Sequence, residues 1–356
     1  MGEKILIYGS YGYTGNLIAE LAVQKGIPVL LSGRNRDKLN EQGKRLQLPV
    51  QGADVESPKE LDDLLKHADV VIHCAGPFIH TWKPMAEACL RNQCHYLDIT
   101  GEIAVFESLK AMDSQFREKN LMVMPGAGFD VVPTDCMAAT LHRSMPDAVS
   151  LELGFMGLGG GISHGTAKTM IENLGRGGLI RENNKLKEIK AAGKTRAIDF
   201  GVMKASAVSI PWGDLSTAYT STGIGNITVY MAAKPAMIRG MKLSNYFGPV
   251  LRSAWFRNRL KKKISKWPPG PGKKERMEGR SYIWGCIKNE KGDSKEAVFV
   301  TREGYQLTAE TALLIGGKII SGEFSTGYHT PAGQYGHHLI FEIEQTEWVK
   351  TPGVDV

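Results

Sequence analysis

The sequence predicts an α/β protein: a Rossmann-type doubly wound parallel sheet, then a second α+β domain with a mostly antiparallel sheet. Three observations lead there. The apolar run Ile5 to Tyr8 ends in Gly9, Gly12 and Gly15 and gives way at once to an amphipathic segment, Leu17 to Val23. Continuous apolar runs then alternate with polar or amphipathic segments as far as Met124, the pattern of parallel strands covered on both faces by helices. After about Val149 the pattern changes to alternating strands with long polar connections.

The strands expected after the first are Pro28 to Leu31, Pro49 to Ala53, Asp69 to Cys74, His95 to Ile99 and Leu121 to Met124. Helical segments separate them at Asp37 to Leu46, Pro58 to His67, Pro84 to Asn92 and Val105 to Lys119. In such a sheet the ligand lies at the carboxyl ends of the strands. The first strand end, Gly9, Ser10, Tyr11, Gly12, Tyr13, Thr14 and Gly15, is the candidate pyrophosphate grip. Gly9 permits the tight turn, Gly12 lets backbone N–H groups approach the phosphates, and Gly15 lets the helix lie close on the strand. A tight strand-to-helix turn with no ligand is the alternative for this segment taken alone.

The second strand end selects the dinucleotide. An NAD site places Asp or Glu there for the ribose 2′-hydroxyl, whereas an NADP site places an arginine. The sequence here is Ser32-Gly33-Arg34-Asn35, without an acid before Asp37. Arg34 can fork onto a 2′-phosphate, with Ser32 and Asn35 as hydrogen-bonding support, so NADP (NADPH) is the cofactor expected. Asp54 and Val55 at the third strand end are placed to border the adenine. Ala75, Gly76, Pro77 and Phe78 at the fourth would approach the cofactor's middle.

Composition bounds the rest. A chain of 356 residues, 42% apolar and 23% charged, is that of a globular protein of about two domains. No run approaches the ~18 apolar residues of a membrane span. Five cysteines without CxxC spacing argue against a structural metal or a disulfide framework, and no metal site is expected. The first strand starts too early for a leader, and the expected location is cytoplasmic, with contact at a membrane or lipid surface as an added reading. The net charge of +7 is concentrated: Arg252 to Arg280 holds eleven Lys/Arg against two Asp/Glu. Phe247, Val250, Leu251, Ala254 and Trp255 recur there at helical spacing before Pro268-Pro269-Gly270. Three readings of Phe247 to Arg280 stay open: a solvated basic face, a peripheral membrane contact, or a dock for an acidic carrier. Nucleic acid is not expected, because no binding fold accompanies the charge.

The runs GSYGYTG, SGRNRDKL, CAGPF, YLDITGE (Tyr96 to Glu102) and PGAGFDVVPTD (Pro125 to Asp135) together resemble the saccharopine dehydrogenase-like oxidoreductases. GISHGTAKT (Gly161 to Thr169), STGIGNITVYMA (Ser221 to Ala232), the basic stretch ending GPGKKER and TPAGQYG (Thr330 to Gly336) resemble the trans-acting enoyl reductase branch. The resemblance implies a dinucleotide-binding domain over residues 1–135, a substrate and dimerisation domain over 136–304, and a segment 305–356 that returns to the first. A homodimer is implied with it. It also implies that Phe129, Ser163, Thr166 and Lys168 line the substrate cleft.

The activity implied is hydride transfer from NADPH to a C=C or C=N bond of a small or acyl, lipid-like substrate. Two alternatives stand beside it: a saccharopine-type amino-acid dehydrogenase, and a non-catalytic NADP-binding sensor or scaffold at lipid surfaces. Asp130, Glu102 and His164 are the foremost candidates for the proton source, with Lys168, Tyr328 and His329 also in view. No YxxxK spacing supports a short-chain dehydrogenase mechanism. Asp135 reads as a cap for a helix starting at Cys136, and Tyr305 to Ile320 as a helix with Leu307, Leu314 and Ile315 on its apolar face.

Overall fold

The computed structural model describes residues 5–264 and 266–353, so the outermost domain bounds expected at residues 1 and 356 lie outside the described residues. Two compact units emerge: Met1–Val132 with Tyr305–Gln334, and Pro133–Gly304 with Tyr335–Val356. The final segment therefore divides, and its last part belongs to the second unit. There Trp348 packs on Phe299 and Phe341, burying aromatic surface within that unit.

The first unit is built on β1 (Ile5–Tyr8), β2 (Val29–Gly33), β3 (Val50–Gly52), β4 (Val70–His73), β5 (His95–Asp98) and β6 (Met122–Met124). A C-terminal strand, Gly327–Tyr328, completes a seven-stranded sheet among the described residues. Its order is Gly327–Tyr328, β6, β5, β4, β1, β2, β3, and every neighbouring pair is parallel. β1, β2 and β4 are buried along their whole length, which is why they read as unbroken apolar runs. Helices α1 (Tyr13–Gln24), α2 (Arg36–Leu46), α3 (Pro58–Leu65), α4 (Phe78–Asn92), α5 (Ile103–Lys110) and α6 (Asp113–Glu118) connect the strands.

Two helices depart from the expected bounds. α4 starts at Phe78 and carries Pro84 in its interior, where the missing N–H leaves one turn unbonded. The span Val105 to Lys119 breaks at Ala111–Met112 into α5 and α6. The C-terminal helix Gly304–Ile320 lies on the sheet, with Gly316 against the side chains of Ile5 and Ile72. Leu313 rather than Leu314 is fully buried there, with Leu307 and Ile315.

The second unit starts with α7 (Val132–Ser144). This helix begins ahead of the expected Cys136, so Asp135 lies in its first turn instead of capping it and accepts a hydrogen bond from Ser221 Oγ at 2.6 Å. Pro133 fits because a helix's first turn needs no N–H from it. The strands are β7 (Ala148–Leu158), β8 (Gly178–Glu182), β9 (Lys185–Ile189), β10 (Thr195–Asp199), β11 (Lys204–Ser209), β12 (Asn226–Ala232), β13 (Arg280–Asn289) and β14 (Ser294–Arg302), with Glu347–Lys350 at one edge. The path runs β10, β11, β12, β7, β13, β14, Glu347–Lys350, with β8 on β12 and β9 on β8. Pairing is antiparallel except between β12 and β7. Trp284 and Phe200 are fully buried at the centre of one face. Helices α8 (His164–Glu172), α9 (Asp214–Thr222), α10 (Pro235–Ser244), α11 (Gly248–Arg252), α12 (Ala254–Ile264) and α13 (Lys273–Glu278) complete the unit. The expected basic helix is thus two helices, broken where Ser253 takes an extended conformation.

Candidate cofactor site and buried carboxylates

The first unit's strand ends hold most of the predicted site. Gly9 N and Ser10 N both donate to the Ser32 carbonyl, at 2.8 and 3.0 Å, so β1 turns sharply against β2. Gly9 has φ +80°, and a Cβ there would lie 2.9 Å from Ala75 N. At Gly15 a Cβ would meet the Gly9 carbonyl at 2.5 Å, which is the close helix-on-strand contact expected of that position. α1 starts without a side-chain cap and without an acid in its first turn. Its positive dipole end therefore suits an anion.

The neighbours of this turn divide the work. Ser10 is buried, donating from Oγ to Gln42 Oε1 and accepting from Gln42 Nε2 at its carbonyl, both at 2.8 Å. Tyr13 sets its ring edge-on to Tyr305 at 5.0 Å. Gly12, Tyr13 and Thr14 are half-buried at the helix start. Tyr11 lies across Gly33, and its hydroxyl accepts from Asn35 N at 3.0 Å. Asn35 caps α2 through Lys38 N, and Ser32 is fully enclosed, so both shape the loop rather than offer free side chains at its surface. Arg34 differs: it is exposed and makes no ion pair among the described residues. An unpaired guanidinium beside an uncapped helix start fits a dinucleotide carrying a 2′-phosphate.

Asp54 is exposed, accepts from Glu56 N at 3.1 Å and takes Glu60 against its own N–H, while Val55 is buried. Ala75, Gly76 and Pro77 lead into α4, and Thr81 Oγ1 donates to the Ala75 carbonyl at 2.8 Å. The Gly76–Pro77 peptide is cis.

Glu102 and Asp130 are brought together. Pro77 gives α4 no side-chain cap, and the Glu102 carboxylate supplies it instead, accepting from Phe78 N at 2.8 Å and Ile79 N at 3.0 Å. Asp130 sits against Gly101, where a Cβ would lie 2.6 Å from Asp130 Oδ2. Burial raises the Asp130 carboxyl to about 7, and the Glu102 charge pushes in the same direction. Nearby Asp98 is fully buried and accepts from Tyr96 Oη, Thr100 N and Gly126 N at 2.7, 3.0 and 2.9 Å. Burial lifts it to about 6 against those three bonds. The loop carrying Asp130 is pinned by the C-terminal helix: Phe129 N donates to Thr308 Oγ1 at 3.0 Å, and Thr311 Oγ1 donates to the Ala127 carbonyl at 2.8 Å.

The remaining candidates lie elsewhere. Tyr328 is buried in its strand, with its N–H on Asp113 Oδ1, and the His329 ring bonds the Thr326 carbonyl. In the second unit, Ser163 caps α8 by accepting from Thr166 N, and His164 pairs its ring with the Trp267 carbonyl at 2.8 Å. Thr166 and Lys168 are exposed on α8. Gln42, Asp98, Thr100 and Thr81 are site-supporting residues that sequence reasoning passed over; Asp98 and Thr100 were legible within YLDITGE, whereas Gln42 meets Ser10 only through the fold.

Comparison with known proteins agrees with this geometry. A family model described as the saccharopine dehydrogenase NADP binding domain matches residues 5–124. The saccharopine dehydrogenase-like oxidoreductase of Mus musculus is 25% identical over 203 residues, covering 50% of this chain and 47% of that protein. A trans-acting enoyl reductase of Mycobacterium bovis is 29% identical over 149 residues, covering 39% of this chain and 35% of that protein. The matched stretch spans about half the length of the first of these relatives, and less of the second. In fold, the chain is similar to apo saccharopine dehydrogenase (L-Glu forming) from Saccharomyces cerevisiae, with a TM-score of 0.64, 11% identity and 96% of each chain covered. Residues 5–124 of the first unit thus match a saccharopine dehydrogenase NADP binding domain, on a chain with the saccharopine dehydrogenase fold.

Proposed function

We propose that the chain is an NADPH-dependent reductase of a C=C or C=N bond in an acyl or other small substrate, with Asp130 as proton donor. The observation that carries the reading is a carboxyl raised to about 7 in the same unit as the cofactor grip. When bound, NADPH supplies the hydride. The amides at the start of α1 hold the pyrophosphate, and Arg34 holds the 2′-phosphate. Burial, with the Glu102 carboxylate beside it as the smaller cause, makes deprotonation of Asp130 less favourable. Asp130, which holds its proton in about half the molecules near pH 7, delivers that proton to the atom next to the one that accepts hydride, leaving a saturated C–C or C–N bond. The relative named as a trans-acting enoyl reductase supports the acyl class of substrate. NADPH consumption with an enoyl thioester and with an imine tests it: turnover of one is expected, and turnover of neither removes the reading.

A further inference from the structure

We infer that the second unit binds anionic membrane surfaces through α10, α11, α12 and the turn after them. The apolar residues that helical spacing assigns to a packed face are in fact outside. Phe247 is 52% exposed, Val250 54%, Trp255 70% and Trp267 50%, and Tyr246 reaches 81%. Among the described residues every large exposed aromatic lies between Tyr246 and Trp267. Scattered apolar residues on a surface need no explanation, but four aromatics in one short stretch do.

Charge says what covers them. No Asp or Glu occurs between Asp214 and Glu275, whereas Lys234 to Arg280 holds fourteen Lys/Arg. Arg239, Lys242, Arg252, Arg259, Lys263 and Lys266 are exposed beside the aromatics. Aromatic rings interleaved with long basic side chains suit the headgroup zone of an anionic bilayer, where rings enter the interface and cations stay with phosphates. A packed protein partner would instead call for fewer lysines at its core.

The patch is also held rigidly. Leu260 and Ile264 on α12 pack against Ala167 and Ile171 on α8. Glu172 takes Lys261 and, at 3.6 Å, Arg257. These inward cations leave the others facing out. α8 carries Thr166 and Lys168, so a bilayer seated on α12 lies one helix away from those residues.

The test is sedimentation of the full chain with phosphatidylcholine vesicles, with and without about a third of phosphatidylglycerol. Binding is expected only to the anionic vesicles and should fall about tenfold or more between low and high salt. Trp255→Ala with Phe247→Ala, and separately Lys263→Glu with Lys266→Glu, should each lower the partition coefficient about tenfold while NADPH binding and far-UV circular dichroism stay unchanged. No anionic binding at low salt overturns the proposal. So does binding that both variants leave intact, or loss of a dimer in the aromatic variant by light scattering without any vesicle binding. NADPH turnover is read separately, so failure here leaves the proposed reduction standing, and the reverse.

Discussion

Asp130 and Arg34 carry opposite demands on their surroundings. Asp130 has a folded-state value of about 7 against an ordinary carboxyl near 4, so the folded chain binds more protons than the unfolded chain between those values. Stability is therefore greatest below the unfolded value and declines as pH rises through about 7. Asp130→Asn removes that penalty: thermal melts at pH 8 should show a variant at least as stable as the parent, while turnover falls by about 10²-fold or more. NADPH affinity should not move. In the parent, kcat should decline above pH ~7 as the proton is lost, and a flat profile to pH 9 would falsify the donor role. Arg34→Ala should weaken NADPH binding by about ten- to a hundredfold, since a charge-assisted pair to phosphate is worth roughly 1.5–3 kcal/mol. NADH affinity, measured by fluorescence titration, should stay level. The place of Arg34 just after β2 was legible, because the apolar run before it marks where the strand stops. The bond from Asn35 N to Tyr11 and the enclosure of Ser32 were not, since both depend on the turn after β1 folding over β2.

At the level of elements, the junction of α4 with Glu102 links stability to chemistry. Glu102→Gln keeps one acceptor for the α4 amides but loses the charge, which costs about 1 kcal/mol of capping and dipole energy. The same change lowers the Asp130 value, so the high-pH limb of the pH–rate profile should move to lower pH, short of the ordinary carboxyl range because burial is the larger cause. An unmoved profile would separate the two carboxyls. Gly15→Ala should be severe, because its Cβ meets backbone and not a yielding side chain. Loss of NADPH binding with a lowered melting temperature is the expected result. Strand after strand of the first unit could be read from sequence, since β1, β2 and β4 are buried throughout and mostly apolar. Helix starts could not: Pro84 looks like a first-turn proline, yet α4 starts at Phe78, where the Gly76–Pro77 turn leaves two amides for Glu102.

For the whole molecule, the discontinuity of each unit matters most. Residues 5–132 hold the six strands β1 to β6, but Gly304–Ile320 covers Ile5 and Ile72 and pins the Asp130 loop. Leu307, Ile315 and Ile319 are buried there, each worth about 1.5–3 kcal/mol. A fragment ending at Val132 should aggregate or melt without a cooperative transition, and fusing 305–334 to it should restore one along with NADPH binding. A cooperative melt from the short fragment would contradict this. The return of 305–334 to the first unit was implied by the family resemblance and not by local pattern, because residues of the same core stand far apart in the chain. The second unit shows the same limit: alternation revealed its strands, but not that β12 and β7 run parallel or that Glu347–Lys350 joins β14. Gln42 has one consequence more. By gripping Ser10 from α2 it ties the glycine turn after β1 to the helix that follows Arg34. Gln42→Ala and Arg34→Ala should then be non-additive in a double-mutant cycle on NADPH affinity, the second loss being smaller once the first has let the two loops drift apart.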